Sequence, residues 1–302
     1  SLTHSLTHSL TKPLATLLTA AFLLTLSVSV TEAATIGHWR FESGDFLGDS
    51  AGSLDLTNDT DVDEYTLPGT GAGSDFPSTI PQTGASNGQG AGELDRGQSD
   101  RFSVADAAVL SDIATNKAFT AEAFVNLTAH QTSSVNYLIS QIGNSDSFGF
   151  IPTAGWATDN GQAGGMGLIL SDDGSNFVGV YDSGLFLELN KDYYIGVAVD
   201  LTQADQDDRV VFYAKNLTDG GSLQVANMTG VTQTSIWDST NDLVIGNVEA
   251  GNRGFDGYLD EVRLSSTQLP QSELLISIPE PASLALLGLG GLLIAGRRRR
   301  RV

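Results

Sequence analysis

The sequence predicts an all-β protein, a two-sheet antiparallel sandwich, lying between two apolar terminal segments. Three observations carry this reading. Several windows alternate apolar and polar residues with period two, clusters of Asp, Gly and Ser separate them, and helical periodicity is absent away from the two ends. The chain has 302 residues, 40% hydrophobic and 8% aromatic, enough for the core of one large β domain. It contains no cysteine, which rules out disulfides, thiolate nucleophiles and cysteine metal sites. Acidic residues outnumber basic ones 36 to 15, a net charge of −21. That balance argues against nucleic-acid binding, which needs Lys and Arg to displace counterions from phosphates.

From the N-terminus, Ser-Leu-Thr-His occurs twice, and Lys12 then precedes an apolar run from Leu14 to Val30 that ends in Thr31-Glu32-Ala33-Ala34. A basic residue, a short apolar core and small residues at its exit describe a secretory signal peptide over residues 1–33, cleaved after Ala33. The body follows over 34–276. Its clearest alternation is Phe119 to Leu127, where Phe119, Ala121, Ala123, Val125 and Leu127 lie opposite Thr120, Glu122 and Asn126, with Phe124 the exception. Tyr193 to Val199 and Val210 to Ala214 are β-branched or aromatic runs, and shorter ones occur at 138–140, 167–170, 177–181 and 243–245. Asp172-Asp173-Gly174-Ser175 and Asp219-Gly220-Gly221-Ser222 read as turns between them. Residues 66–100 are rich in Gly, Ser, Pro, Thr and Gln, and read as a long, poorly ordered loop or insertion.

Over 277–302, Pro279-Glu280-Pro281 is followed by 15 apolar residues, Ala282 to Gly296, and then Arg297, Arg298, Arg299, Arg300 and Arg301. As a helix the apolar stretch is roughly 22 Å long at about 1.5 Å per residue. A bilayer core is about 30 Å thick, so this short span relies on snorkelling arginines that hold the C-terminus on the cytoplasmic side. The three parts in this order resemble a PEP-CTERM sorting signal. The resemblance implies export through the Sec translocon and a transient inner-membrane anchor with the body in the periplasm. Trimming by an exosortase and placement at the cell surface or in a biofilm matrix would follow. Without the two ends, residues 34–281 hold 35 acidic and 9 basic side chains, a net of −26.

A second resemblance covers the body. Ile36-Gly37-His38-Trp39-Arg40-Phe41-Glu42 with Gly48-Asp49-Ser50-Ala51-Gly52 is similar to the opening of laminin-G-like, concanavalin A-type jelly rolls. Phe119 to Val125 resembles their early strand. Leu243-Val244-Ile245-Gly246 and Phe255 to Leu264 resemble their closing strands, with Leu269 and Glu273 in the exit turn. The resemblance implies a jelly-roll sandwich and a structural calcium held by loop aspartates, here Asp49 and Asp260. The residues themselves read as turn caps equally well.

Catalytic patterns are incomplete. Gly48-x-Ser50-x-Gly52 has the spacing of a nucleophile elbow but sits in an acidic, Gly-rich loop. Glu93-Leu94-Asp95 begins the carboxylate spacing of glycoside hydrolases sharing this jelly roll, but Gln98 stands where the last acid belongs, and Asp260-Glu261 are adjacent and point to opposite faces. Asp59 to Glu64 has the alternating acids of an EF-hand start without its glycine. Of Trp39, Trp156 and Trp237, the first belongs to a core strand, and Trp156 is the expected sugar-stacking residue because Gly155 and Thr158-Asp159-Asn160-Gly161 suggest a loop. Asn58, Asn126, Asn216 and Asn227 begin Asn-x-Ser/Thr triplets. The expectation is a secreted, non-enzymatic module that binds glycan or a surface protein. The alternatives are a polysaccharide-active hydrolase or lyase of the same fold, and a purely structural matrix protein.

Overall fold

A computed structural model describes residues 35–277 except 68–69, 89, 131–133 and 160–161. The signal peptide and the sorting signal, with Pro279, Glu280, Pro281 and Arg297 to Arg301, lie outside the described residues. The strands are β1 (Thr35–Trp39), β2 (Thr57–Asn58), β3 (Asp63–Thr66), β4 (Gly90–Leu94), β5 (Phe102–Val104), β6 (Ala118–Leu127), β7 (Ile139–Ser140), β8 (Phe148–Asp159), β9 (Gln162–Ser171) and β10 (Phe177–Phe186). They continue with β11 (Asp192–Asp200), β12 (Val210–Asn216), β13 (Gln224–Asn227), β14 (Leu243–Ile245) and β15 (Gly257–Ser265). One short helix, α1 (Ser111–Asn116), precedes β6.

The first sheet runs β13-β12-β11-β6-β15-β4-β3, with β1 added along β15. The second runs β10-β9-β8-β7-β14-β5-β2. The period-two pattern read for β6 is what joins them. Phe119, Ala121, Ala123, Val125 and Leu127 face the inter-sheet core with Ile195, Val197 and Phe212 of the first sheet and Phe148, Phe150, Leu168 and Ile245 of the second. Phe119 meets Phe148 across the sandwich at 4.6 Å between ring centroids, and Phe150 meets Phe212 at 6.5 Å.

The other face of β6 is buried as well, and this corrects the reading of 66–100. The stretch contains β4, which pairs with β3 from Asp63↔Glu93 to Thr66↔Gly90. The excursion between the two strands folds back over the first sheet. Phe76 and Ile80 join Phe124, Tyr194, Tyr213 and the C-terminal Leu269, Leu274, Leu275 and Ile276 in a second core. Burying side chains of this size contributes about 1.5–3 kcal/mol each, which explains how so polar a stretch is held. Its glycines let the backbone approach closely: a Cβ at Gly90 would lie 1.8 Å from the Phe41 carbonyl oxygen.

Beneath this cover the polar residues of β6 are all bonded. Glu122 accepts from the Arg263 guanidinium through Oε1, and through Oε2 from the Tyr194 hydroxyl at 2.6 Å and the Leu275 amide at 2.8 Å. Thr120 Oγ1 donates to the Thr267 carbonyl and accepts from the Leu269 amide. The last stretch before the sorting signal is therefore sewn to the sheet.

β15 carries a bulge between Asp260 and Arg263. Glu261 adopts φ 51° there, in the left-handed region rare for non-glycine residues. It accepts from Arg40 Nε at 2.9 Å and lies 2.5 Å from His38 Nε2. Asp260 is fully buried, accepting from Asn87 Nδ2 and the Glu261 amide. Burial first, and the neighbouring Glu261 second, push its pKa well above the ordinary 3.8. The folded state thus keeps a proton that the unfolded chain releases near pH 4, and stability falls as pH rises from there toward the folded pKa. Asp260→Asn is expected to remove that part of the slope, gaining more over wild type at pH 8 than at pH 4. Each tenfold in proton affinity is worth about 1.4 kcal/mol. Urea midpoints across this range check it; parallel pH profiles for the two proteins would refute it.

Candidate functional site

The outer face of the second sheet carries a smaller buried cluster than that of the first. In β9, Leu168 and Leu170 enter the inter-sheet core while Ile169 turns outward; in β8, Phe150 enters and Ile151 turns outward. Tyr137, Ile151, Ala154, Ile169 and Val248 form a small cluster on that outer face. Beside it lies a groove of about 430 Å3 with Tyr137, Ile142 and Val248 among its apolar lining. Asp146, Phe177, Asn252 and Arg253 supply its aromatic and polar contacts.

Each lining residue is fixed by the chain around it. Gly149 lies beneath the Tyr137 ring, where a Cβ would sit 2.4 Å from a ring carbon, so β8 admits the aromatic only because this residue has no side chain. The Tyr137 amide donates to the Arg253 carbonyl at 3.1 Å. The fully buried Asn247 organises the 247–253 loop, its Oδ1 accepting from the Val248 amide at 2.9 Å and the Arg253 amide at 2.8 Å. Asp146 accepts from the Gly143 amide at 3.1 Å, and its own amide donates to the Gly174 carbonyl. Burial raises the pKa of Asp146, and it also raises that of the Tyr137 hydroxyl, an effect Arg253 partly offsets. Tyr137 is therefore a neutral hydroxyl at physiological pH.

One residue along the same loop, Ser145 Oγ accepts from Trp237 Nε1 at 2.9 Å. Trp237 is 41% exposed and Phe177 40% exposed. The Trp237 indole rests over Gly174, where a Cβ would lie 2.5 Å from Nε1. The sequence singled out Trp156 instead, and the structure corrects its setting. It lies within β8, not in a loop, because β8 and β9 stay paired out to Asp159↔Gln162 with only residues 160 and 161 between them. The side chain of Trp156 lies outside the described residues. Trp39 is buried as read, donating from Nε1 to the Leu54 carbonyl at 2.7 Å.

The aspartates expected to hold calcium are engaged inside the fold. Asp49 Oδ1 accepts from the His38 and Ala51 amides at 2.9 Å each, and Oδ2 from the Leu54 amide at 3.1 Å. Asp260 is buried, bonded and biased toward its neutral form. A hard cation takes six to eight oxygens from carboxylates and carbonyls; the oxygens of both aspartates accept from backbone amides and Asn87 instead. Among the described residues no group of three or more His, Cys, Asp or Glu is placed to hold a metal.

The other motifs resolve into structural roles. Ser50 Oγ donates to the His38 carbonyl in a bend, so the elbow spacing carries no nucleophile. Glu93 lies on β4 and accepts from the Tyr258 hydroxyl, while Asp95 caps the following turn by accepting from the Gly97 amide. Asp59 pairs with Arg101. All four triplet asparagines bond within the fold: Asn58 to Val62, Asn126 to Asp192, Asn216 to Tyr193 and Asn227 to Asp207.

Two antiparallel sheets with a jelly-roll order, one outer face covered and the other bearing a groove, define a β-sandwich surface module. The chain belongs to the concanavalin A-like lectin/glucanase superfamily, whose family model matches residues 96–275. A PEP-CTERM protein-sorting motif matches residues 277–301. The protein is accordingly exported, processed at the membrane by an exosortase and sorted to the cell surface. A search of curated proteins found no match.

Among solved structures, the receptor-binding domain of botulinum neurotoxin C/D mosaic serotype is 13% identical over 80% of this chain and 50% of its own, with a TM-score of 0.50. The binding domain of botulinum neurotoxin DC in complex with SialylT is 7% identical, with the same coverage and TM-score. Domain 4 of AbnA, a GH43 extracellular arabinanase from Geobacillus stearothermophilus in complex with arabinotriose, is 14% identical over 82% of this chain and 99% of its own, with a TM-score of 0.46. The chain spans about half the length of the toxin fragments. These likenesses concern the fold. The superfamily covers lectins and glucanases alike, so the choice between binding and hydrolysis rests on the side chains.

Proposed function

We propose that the sandwich is a non-enzymatic module that binds a glycan in the groove on the outer face of the second sheet, at the surface of the exporting cell. The single observation that carries this reading is the composition of the groove. The half-exposed ring of Phe177 stands with Asp146, Asn252 and Arg253, groups that exchange hydrogen bonds with sugar hydroxyls, on a lining whose buried part includes Tyr137. Asp146 is the one carboxylate among the described lining residues. Glycoside hydrolysis needs two carboxyl groups flanking the bond, roughly 5–9.5 Å apart. The sandwich neighbours include a neurotoxin binding domain solved with SialylT, in keeping with a saccharide ligand.

Binding of the full-length chain to a glycan array, followed by titration of the best ligands, tests the reading. Phe177 and Trp237 are half-exposed, so Phe177→Ala and Trp237→Ala are expected to fold normally. Loss of the stacking surface at Phe177 should weaken binding by about 1 kcal/mol, roughly fivefold. Trp237→Ala should weaken ligands long enough to reach past the 143–146 loop. No release of reducing ends is expected from the polysaccharides that bind. Steady release abolished by Asp146→Asn would replace this reading with a hydrolase, and an array without hits would leave a structural matrix protein.

A further inference from the structure

The groove lining holds one carboxylate, Asp146, and one guanidinium, Arg253, which form no ion pair with each other. Arg253 is exposed, and its guanidinium makes no hydrogen bond or ion pair among the described residues. That is unusual in a body of net charge −26, where carboxylates outnumber cations almost fourfold. The other described arginines are all engaged. Arg40 meets Glu261 and Glu42, Arg96 meets Asp256, Arg101 meets Asp59, and Arg263 meets Glu122. Arg209 donates to the carbonyls of Gln203, Val231 and Gln233. Arg253 alone is left with its fork of donors free, although its backbone is held on both sides by Asn247 and Tyr137.

We propose that this groove selects a carboxylated saccharide of the uronate class, its carboxylate received by Arg253. The inference rests on the glycan-binding reading above and adds the class of sugar. A guanidinium is planar and presents parallel N–H groups that match a carboxylate in two bonds, which a sugar hydroxyl cannot do. Asp146 at the groove repels the same carboxylate and accepts hydroxyls, so the pair gives the sugar one orientation. Phe177, 40% exposed on the groove lining, offers the sugar ring an apolar face. The acidic body opposes long polyanions, so the favoured ligand is a short oligomer or a chain end.

The test compares a galacturonate trimer with the same trimer after its carboxyls are reduced to alcohols, titrated into the full-length chain. The uronate should bind at least about tenfold more tightly, a difference of about 1.4 kcal/mol. Arg253→Gln should abolish the preference, so that the two trimers bind it equally, and Arg253→Lys should keep only part of it. Equal binding of the two trimers, or a preference that survives Arg253→Gln, overturns the inference while leaving the groove a glycan site. If neither trimer binds and the array is also empty, the glycan reading fails and the inference with it.

Discussion

Glu122→Ala is expected to lower the melting midpoint by roughly 6–20 °C and to loosen the C-terminal stretch before the sorting signal. Glu122 is 1% exposed and joins three elements: the Arg263 guanidinium of β15, the Tyr194 hydroxyl of β11 and the Leu275 amide of the closing segment. Removing one partner of a buried ion pair costs about 3–5 kcal/mol, because the other charge is left uncompensated. For a domain of this size each kcal/mol moves the midpoint by about 2–4 °C. Arg263 would also lose its orientation toward the Glu273 carbonyl, to which it donates at 2.7 Å. Hydrogen exchange should therefore quicken most at residues 269–277. In a double-mutant cycle Glu122→Ala with Arg263→Met should cost less than the sum of the singles. A midpoint within 2 °C of wild type would mean that the network is decoration on a stretch held by its leucines alone.

Asp192→Ala should release the excursion between β3 and β4. The Asp192 carboxylate, 1% exposed, accepts from the Gly73 amide through Oδ1 and the Asp75 amide through Oδ2, both at 2.8 Å, and from Asn126 Nδ2 at 2.5 Å. Its loss strands two buried donors and a partly buried one; each buried donor left unpaired costs about 1–3 kcal/mol, so the total should reach about 2 kcal/mol or more. Two amides of the excursion lose their tie at once, so cleavage by a nonspecific protease should move to residues 70–88 before the sheets unfold. Cleavage that stays at the termini, with an unchanged midpoint, would show that Phe76 and Ile80 hold the segment without help.

How much of this was legible follows from which interactions are local. The alternation over Phe119 to Leu127 named the inward face of β6 correctly, because side chains two apart on a strand share a face whatever lies opposite. It could not tell that the other face is also buried. Thr120, Glu122 and Asn126 look solvent-facing in isolation, and only the return of residues 71–88 and 269–276 over them reveals otherwise. The same blindness made the Gly- and Ser-rich stretch look poorly ordered. Its anchors are two large apolar residues and the carboxylate of Asp192, more than a hundred positions away.

The groove was illegible for the same reason. Tyr137, Asp146, Phe177 and Arg253 come from four separate stretches and share no spacing. A signal for Trp237 did exist: it stands in a polar stretch, Thr234-Ser235-Ile236-Trp237-Asp238-Ser239, with no alternation to bury it. Trp156 drew attention instead because glycine and a turn cluster flank it, features that a long paired hairpin shares with a loop.

The sequence by itself determined the all-β class, the inward faces of the main strands, the acidic surface and the C-terminal address, since each depends on short-range pattern or composition. The tertiary structure alone decided what covers each outer sheet face. It also decided that Asp49 and Asp260 serve the fold, and that one arginine remains unpaired beside an aromatic groove. Those outcomes turn on which distant side chains meet across the sheets, and no local pattern records such meetings.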